Sequence, residues 1–154
     1  MKTEILFPEV ANLCGDLMNV TYLRQCCPEM EVVETGLKDR PAFLDGGVDL
    51  VYVGSATERG LQLMVKALAP YRAELERYVD GGGLMLATGN ALDALGEYVV
   101  IDGKRAFDGL GILKTHAEYH MMKRHNSFLL GSFQDMEIVG FKSLFGHTYP
   151  DDEL

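Results

Sequence analysis

The stretch Asp80-Gly-Gly-Gly-Leu-Met-Leu-Ala-Thr-Gly-Asn-Ala-Leu-Asp-Ala-Leu-Gly96 decides the fold of this chain. It predicts a turn, a short buried strand over Gly83–Ala87, a tight corner and the start of a helix. A strand that passes through a small-residue corner straight into a helix has the geometry of a nucleophile elbow, in which one side chain is raised above the sheet. That residue is ordinarily Ser or Cys, whereas the candidates here are Thr88, Gly89 and Asn90. The sequence therefore predicts the place for a nucleophile without the usual nucleophile.

Strands and helices alternate on the N-terminal side of this corner. Strands are predicted over Glu4–Phe7, Glu31–Thr35 and the nearly all-apolar Asp49–Gly54, and helices over Leu17–Cys27 and Glu58–Tyr78. Asp16 is a predicted cap of the first helix, and Thr57 or Glu58 of the second. Pro70 should kink or split the second helix. This alternation predicts a three-layer α/β/α domain around a mostly parallel sheet.

The pattern changes after residue 96. Glu97–Ile101, the turn Asp102-Gly103 and Arg105–Phe107 predict a β-hairpin. Further strands are predicted over Ile112–Met121, Ser127–Phe133 and Glu137–Phe145, with little helix between them. We expect these segments to add antiparallel strands at one side of the central sheet.

Composition narrows the class of protein. The chain has 154 residues, the size of one domain, and a formal net charge of −9, which disfavours nucleic acid or an anionic membrane as the main partner. No apolar run is long enough to span a bilayer, and the N-terminus carries no signal-peptide pattern. Cys14, Cys26 and Cys27 form an odd set without the spacing of a disulfide framework. These features favour a protein of the reducing cytoplasm.

Segments along nearly the whole chain resemble a known family. They are Phe7–Asn19, Asp49–Arg59, Leu84–Gly96, Gly109–Leu113 and Gly140–Thr148. In this order and spacing they are similar to the class I glutamine amidotransferase domains of the cobyric acid synthase type. Among these, they most resemble the small subunits that work with a Mur-ligase-like partner to amidate lipid II. The resemblance implies a flavodoxin-like α/β fold and no cofactor.

The chain departs from the family pattern where the chemistry lies. The family nucleophile is a Cys, and Thr88 or Gly89 stands in its place. The triple-glycine loop that supplies oxyanion-hole amides corresponds to Gly54, Ser55 and Ala56, and the Gln after the elbow corresponds to Asp93. Gly140–Thr148 resembles a family segment that ends in Gly-Arg-Thr, and the family's catalytic His lies beyond that segment, past the last residue of this sequence. The resemblance thus implies a single, C-terminally truncated amidotransferase-like domain, residues 1–154, in which catalytic Cys and His are not found.

Three functions follow as hypotheses. The first is an amidotransferase-like protein without glutaminase activity of its own, a non-catalytic or partner-dependent subunit in lipid II or cobyrinate-type amidation. The second is a module that binds an amino acid or another carboxylate, because the loop amides after a buried strand can bind small anions. Its crevice would be lined by the loop and the corner, with Asp16, Asn19, Glu58 and Asp93. The third is a weakly active amidotransferase.

Two further features bear on ligands and partners. His116, His120 and His125 could suggest a metal, but i and i+4 on a strand lie roughly 13 Å apart and no zinc signature surrounds them, so we predict no metal site. His147 is interpreted as a loop residue. Residues 137–149 are rich in apolar side chains, with Val139, Phe141 and Phe145 expected on one face and Ile138 and Leu144 on the other. We expect this segment to mediate self-association or to bind a partner.

Overall fold

A computed structural model describes residues 1–151 and contains a parallel four-stranded sheet. Its strands are β1 (Lys2–Leu6), β2 (Glu31–Thr35), β3 (Leu50–Val53) and β4 (Leu84–Ala87). They lie in the order β2-β1-β3-β4, and every neighbouring pair is parallel. The prediction of an α/β protein with a parallel sheet is therefore confirmed.

The two faces of this sheet pack against different helices. The helices are α1 (Met18–Cys26), α2 (Glu58–Leu68), α3 (Arg72–Asp80) and α4 (Ala91–Leu95). Because successive side chains of a strand point to opposite faces, Ile5 and Tyr52 join Val20 of α1 in one apolar cluster. Leu6 and Val53 join the larger cluster, which contains the buried apolar side chains of α2, α3 and α4. Burial on both faces explains why β3 has no polar residue except the tip of Tyr52.

The long helical pattern after β3 is divided at its proline, as predicted. Thr57 caps α2, and its hydroxyl oxygen accepts a hydrogen bond from the Gly60 amide at 3.1 Å. Pro70 lies in a single 3-10 turn, Ala69–Tyr71, that separates α2 from α3. Its ring cannot donate a helical hydrogen bond, so the helix ends and a second one begins. Within residues 1–151, no helix is long and apolar enough to cross a bilayer.

The C-terminal third forms separate sheets, which corrects the expectation that its strands extend the central sheet. The second sheet contains β5 (Tyr98–Ile101), β6 (Lys104–Asp108), β7 (Thr115–Tyr119) and β10 (Gly146–Pro150). Their order is β10-β7-β5-β6, in which β5 and β7 are parallel and the other two pairs are antiparallel. The predicted hairpin is β5–β6, and Asp102 and Gly103 both have positive φ, as its two-residue turn requires.

The segment Gly109–Gly111 joins α4 to the second sheet. The amide of Leu110 donates to the carbonyl of Ala94 at 2.9 Å, and the amide of Gly111 donates to the carbonyl of Gly96 at 2.7 Å. Helices leave their last carbonyls without intrahelical partners. This glycine-rich segment therefore closes the C-terminal end of α4 while the chain turns toward β7.

The remaining strands, β8 (His125–Phe133) and β9 (Met136–Leu144), pair with each other in a two-stranded sheet. Strand β10 was not predicted, because its sequence, Gly-His-Thr-Tyr-Pro, lacks an apolar pattern. The prediction that Val139, Phe141 and Phe145 share one face of a strand is wrong for Phe145. Phe145 lies after β9, packs against the main core and carries the Arg124 guanidinium 4.4 Å above its ring.

Candidate functional site

The carboxyl ends of β1, β3 and β4 meet at one edge of the central sheet, where open α/β sheets gather their functional loops. Three segments converge there: the 3-10 turn Leu13–Gly15 with Asp16, the loop after β3, and the corner after β4. Ser55 ties the first two together, because its carbonyl accepts from the Leu13 amide at 2.9 Å and its hydroxyl donates to the Leu13 carbonyl at 3.2 Å.

Asp16 is the centre of this site. Its Oδ2 accepts the Ser55 amide at 2.6 Å and the Thr88 hydroxyl at 2.6 Å, while Oδ1 accepts the Asn19 side-chain amide at 2.8 Å. Partial burial raises the pKa of Asp16, but these donors outweigh burial and the pKa lies below its ordinary value. The structure corrects the helix-cap prediction: Leu17 occupies the cap position of α1, and the Asp16 carboxylate points to the other two segments.

Tyr52 completes the network, and sequence reasoning missed it. Its ring is fully buried, and its hydroxyl donates to the Asp16 carbonyl at 2.7 Å. The same oxygen lies 3.1 Å from the Thr88 hydroxyl and accepts from the Asn19 amide at 3.3 Å. The available signal was a single polar tip inside the apolar strand β3 (Leu-Val-Tyr-Val), since a buried tyrosine hydroxyl needs a hydrogen-bond partner.

Two amides of the loop after β3 donate to side chains of the protein itself. Ser55 donates its amide to Asp16, and Ala56 donates its amide to the Asn90 Oδ1 at 2.9 Å. Asn90 also donates through Nδ2 to the Ala56 carbonyl at 2.8 Å. Asn90 occupies the cap position of α4, but its side chain bridges to this loop and does not cap the helix. Two of the three amides expected to bind an anion, those of Ser55 and Ala56, are therefore already hydrogen-bonded to side chains of the protein.

The corner residue Gly89 has φ +55°, a conformation that favours glycine. A Cβ built on it would lie 2.7 Å from the Cβ of Ser55, so the corner and the loop after β3 touch at this point. Thr88 is held by its amide, which donates to the Val53 carbonyl at 3.0 Å. The corner thus presents one reactive group to the site, the Thr88 hydroxyl, and that hydroxyl is hydrogen-bonded to Asp16.

The structure places Asp93 in a second, buried network. Its Oδ2 accepts the Tyr119 hydroxyl at 2.5 Å and its Oδ1 accepts the Thr148 hydroxyl at 2.6 Å. Burial raises the pKa of Asp93, and the two hydrogen bonds offset only part of that effect. Glu58, in the first turn of α2, contributes to a raised pKa of Tyr119, after burial and Asp93. The four predicted crevice residues therefore divide between two networks. Asp93 is hydrogen-bonded to Tyr119 and Glu58 affects the pKa of Tyr119, whereas Asp16 and Asn19 belong to the network that contains Thr88.

The histidines are placed along the second sheet and the hairpin β8–β9. His116 stacks between Tyr98 and Tyr149, with ring centroids 5.0 and 5.5 Å away. His147 lies in strand β10, which corrects its interpretation as a loop residue, and it meets His125 edge to face at 5.1 Å. Among residues 1–151, no three His, Cys, Asp or Glu side chains gather in a way that could hold a metal ion.

The three cysteines are free and exposed. Cys14 lies in the turn that Leu13 ties to Ser55, and its φ of +59° is unusual for a residue other than glycine. Cys26 and Cys27 lie at the C-terminal end of α1, whereas the site is formed by segments that follow β1, β3 and β4. Cys14 is therefore the thiol whose contribution must be tested in any assay of this site.

Asp16→Asn should destabilise the protein by roughly 1–3 kcal/mol at neutral pH, because a charged acceptor of three hydrogen bonds is lost. The pKa of Asp16 is lower in the folded state than its ordinary value of 3.8. Its contribution is therefore present above that value and disappears as the pH falls through the folded-state pKa. Urea unfolding of both proteins from pH 7 downward checks this. A stability difference that does not shrink in acid would contradict the assignment.

Comparison with known proteins gives one informative similarity. No protein-family model matches the chain. It is 28% identical over 145 residues to "Lipid II isoglutaminyl synthase (glutamine-hydrolyzing) subunit GatD" of Staphylococcus aureus (strain N315). The match covers 91% of this chain and 58% of the relative, so the chain spans little more than half the relative's length. The similarity supports an amidotransferase-like protein.

Proposed function

We propose that this chain is a glutamine amidotransferase-like subunit without glutaminase chemistry of its own, serving an amidating enzyme of the Mur-ligase-like type. By analogy with the relative, the proposed substrate of that enzyme is lipid II. The alternative is a cobyrinate-type substrate, because the sequence also resembles the cobyric acid synthase type. A cytoplasmic location fits the three free thiols. The proposed architecture is the three-layer, flavodoxin-like domain, which the apolar clusters on both faces of the central sheet support.

The observation that carries this proposal is the state of the Thr88 hydroxyl. A threonine attacks an amide only when an adjacent base takes its proton. Among residues 1–151, the carboxylate hydrogen-bonded to it belongs to Asp16, whose lowered pKa makes it a weak base. The loop amides of Ser55 and Ala56, which would stabilise an oxyanion, already donate to Asp16 and Asn90. These contacts support the proposal that the corner lacks both the base and the free loop amides that the amidotransferase reaction needs.

The same contacts count against a binding module for free amino acids. A carboxylate ligand would need the amides of Ser55 and Ala56, and it would have to displace Asp16 or Asn90 from them. Both side chains are tethered by further hydrogen bonds, so displacement is costly. We expect the melting temperature to stay constant when glutamine or glutamate is added. A concentration-dependent rise would favour the binding module.

The deciding experiment separates partner binding from chemistry. Ammonia release from glutamine is measured for the purified chain, alone and mixed with a Mur-ligase-like enzyme that amidates lipid II. Ammonium chloride is the control nitrogen source that shows the partner to be active. We expect a stable complex and no ammonia release above the rate of Thr88→Ala. Turnover that Thr88→Ala or Cys14→Ser abolishes would disprove the loss of chemistry, and failure to form a complex would disprove the subunit role.

A further inference from the structure

The hairpin β8–β9, residues 125–144, projects as an arm. Its two nine-residue strands pair along their whole length and form a sheet of their own, and no other strand in residues 1–151 pairs with their outer edges. Nine residues of strand extend roughly 30 Å. An isolated two-stranded hairpin is only marginally stable in water, so an arm of this kind needs a surface to pack on.

One face of the arm is apolar and almost fully exposed. Phe128 lies opposite Phe141, with ring centroids 5.8 Å apart, and Leu130 lies opposite Val139. The exposed fractions of these four residues are 80%, 63%, 78% and 72%, respectively. The other face carries the less exposed Leu129, Phe133, Met136 and Ile138, between 43% and 60%. We call the four-residue surface of Phe128, Leu130, Val139 and Phe141 the open face.

The exposed apolar area of the arm is divided between its two faces. Its three phenylalanines, Phe128, Phe133 and Phe141, alone expose roughly 400 Å². The five aliphatic side chains of the two faces add a comparable area. The largest apolar patch of a typical monomer is roughly 300–600 Å², whereas a standard interface covers about 800 Å² on each partner. More than half of the arm's exposed apolar area lies on the open face, and that part matches the apolar share, about 56–65%, of an interface surface of about 800 Å².

Charge indicates what covers the open face. The chain carries a net charge of −9, but the arm contains only Asp135, Glu137 and Lys142 as charged residues. A basic protein would find little to bind on the arm, and an anionic membrane would repel the chain as a whole. A second arm, nearly neutral and equally apolar, meets neither obstacle. A surface that packs on its own copy is also what a two-fold dimer requires.

We propose that two copies of this chain dimerise through the open face. The arms stack face to face at the ordinary sheet-packing distance of about 10 Å, and Phe128 and Phe141 of each copy fill the space between them. This surface is distinct from the crevice around Asp16, so dimerisation and the proposed subunit role can each fail without the other.

Sedimentation velocity over a concentration series tests the proposal. We expect a monomer–dimer equilibrium whose dissociation constant rises about tenfold or more in Phe128→Asp and in Val139→Asp. Met122→Asp is the matched control, because Met122 is 93% exposed and lies outside the arm. It adds the same charge and should leave the equilibrium unchanged. Circular dichroism checks folding, and the second variant keeps the test valid if the first does not fold.

A mixing experiment distinguishes a defined dimer from general stickiness. Val139→Asp and Val139→Lys should each be monomeric, and a mixture of the two should form a dimer again because the opposite charges face each other. A monomer at every concentration, large species without a dimer, or a dimer unaffected by both aspartate variants would overturn the proposal. Sedimentation of the chain with neutral phospholipid vesicles in place of dimer formation would overturn it as well.

Discussion

Gly54→Ala is expected to destabilise the protein by about 3 kcal/mol and to disrupt the crevice. A Cβ at this position would overlap the backbone carbonyl oxygen of Ala11. Both residues are fully or nearly fully buried, and a backbone atom cannot rotate away as a flexible side chain would. Relief therefore requires the segment after β1 and the loop after β3 to separate. That separation would also weaken the hydrogen bond from Ser55 to Asp16.

The measurement is urea unfolding at neutral pH with Gly131→Ala as the control. A Cβ at Gly131 meets nothing within 4 Å, and its backbone does not need positive φ. We expect Gly131→Ala to be neutral or slightly stabilising, since alanine lowers the entropy of the unfolded chain. If Gly54→Ala is as mild as this control, the close approach of the two loops is wrong.

Sequence periodicity was sufficient to predict the central sheet. Strand β3 is a short apolar run between turn signals, and Pro70 divides the following helix where its chemistry requires. These features depend on neighbouring residues, so a local pattern reveals them. The separate second sheet was not predictable in the same way. Strand β5 pairs with β7 across the Gly109–Gly111 segment, and no local pattern specifies which sheet a strand joins.

The sequence was sufficient to predict where the corner and the loop after β3 lie, but only some of the contacts between them. The corner at Thr88 and the loop at Ser55 follow from strand–loop–helix patterns. The role of Asp16 as acceptor for both depends on residues 39 and 72 positions away in sequence, which periodicity cannot connect. A local rule, that an Asp before a helix caps it, gave the wrong partner. Tyr52 escaped notice because apolar strands ordinarily bury aromatic residues for packing alone.

Asp93→Ala is expected to cost roughly 2–4 kcal/mol of stability, because the carboxyl joins α4 to two strands of the second sheet. Tyr119 is only 3% exposed, so its hydroxyl would lose its partner in a place that water does not reach freely. Thr148 is exposed and can turn to solvent, which limits the loss at that end. Asp93→Asn is the matched control, since its amide can still accept from one hydroxyl and donate to the other. It should cost much less than the alanine variant.

The stability difference between the wild-type protein and Asp93→Asn should change with pH in the opposite direction to the difference between the wild-type protein and Asp16→Asn. The folded-state pKa of Asp93 is raised above 3.8 by burial, so folding favours its protonated form. Its contribution to stability is therefore full below the unfolded-state pKa and is lost as the pH rises through the folded-state pKa. The advantage of the wild-type protein over Asp93→Asn should consequently grow as the pH falls from 7 toward about 4. Urea unfolding of both proteins at several pH values measures this advantage. An advantage that stays constant or declines in acid would show that burial does not raise the folded-state pKa of Asp93.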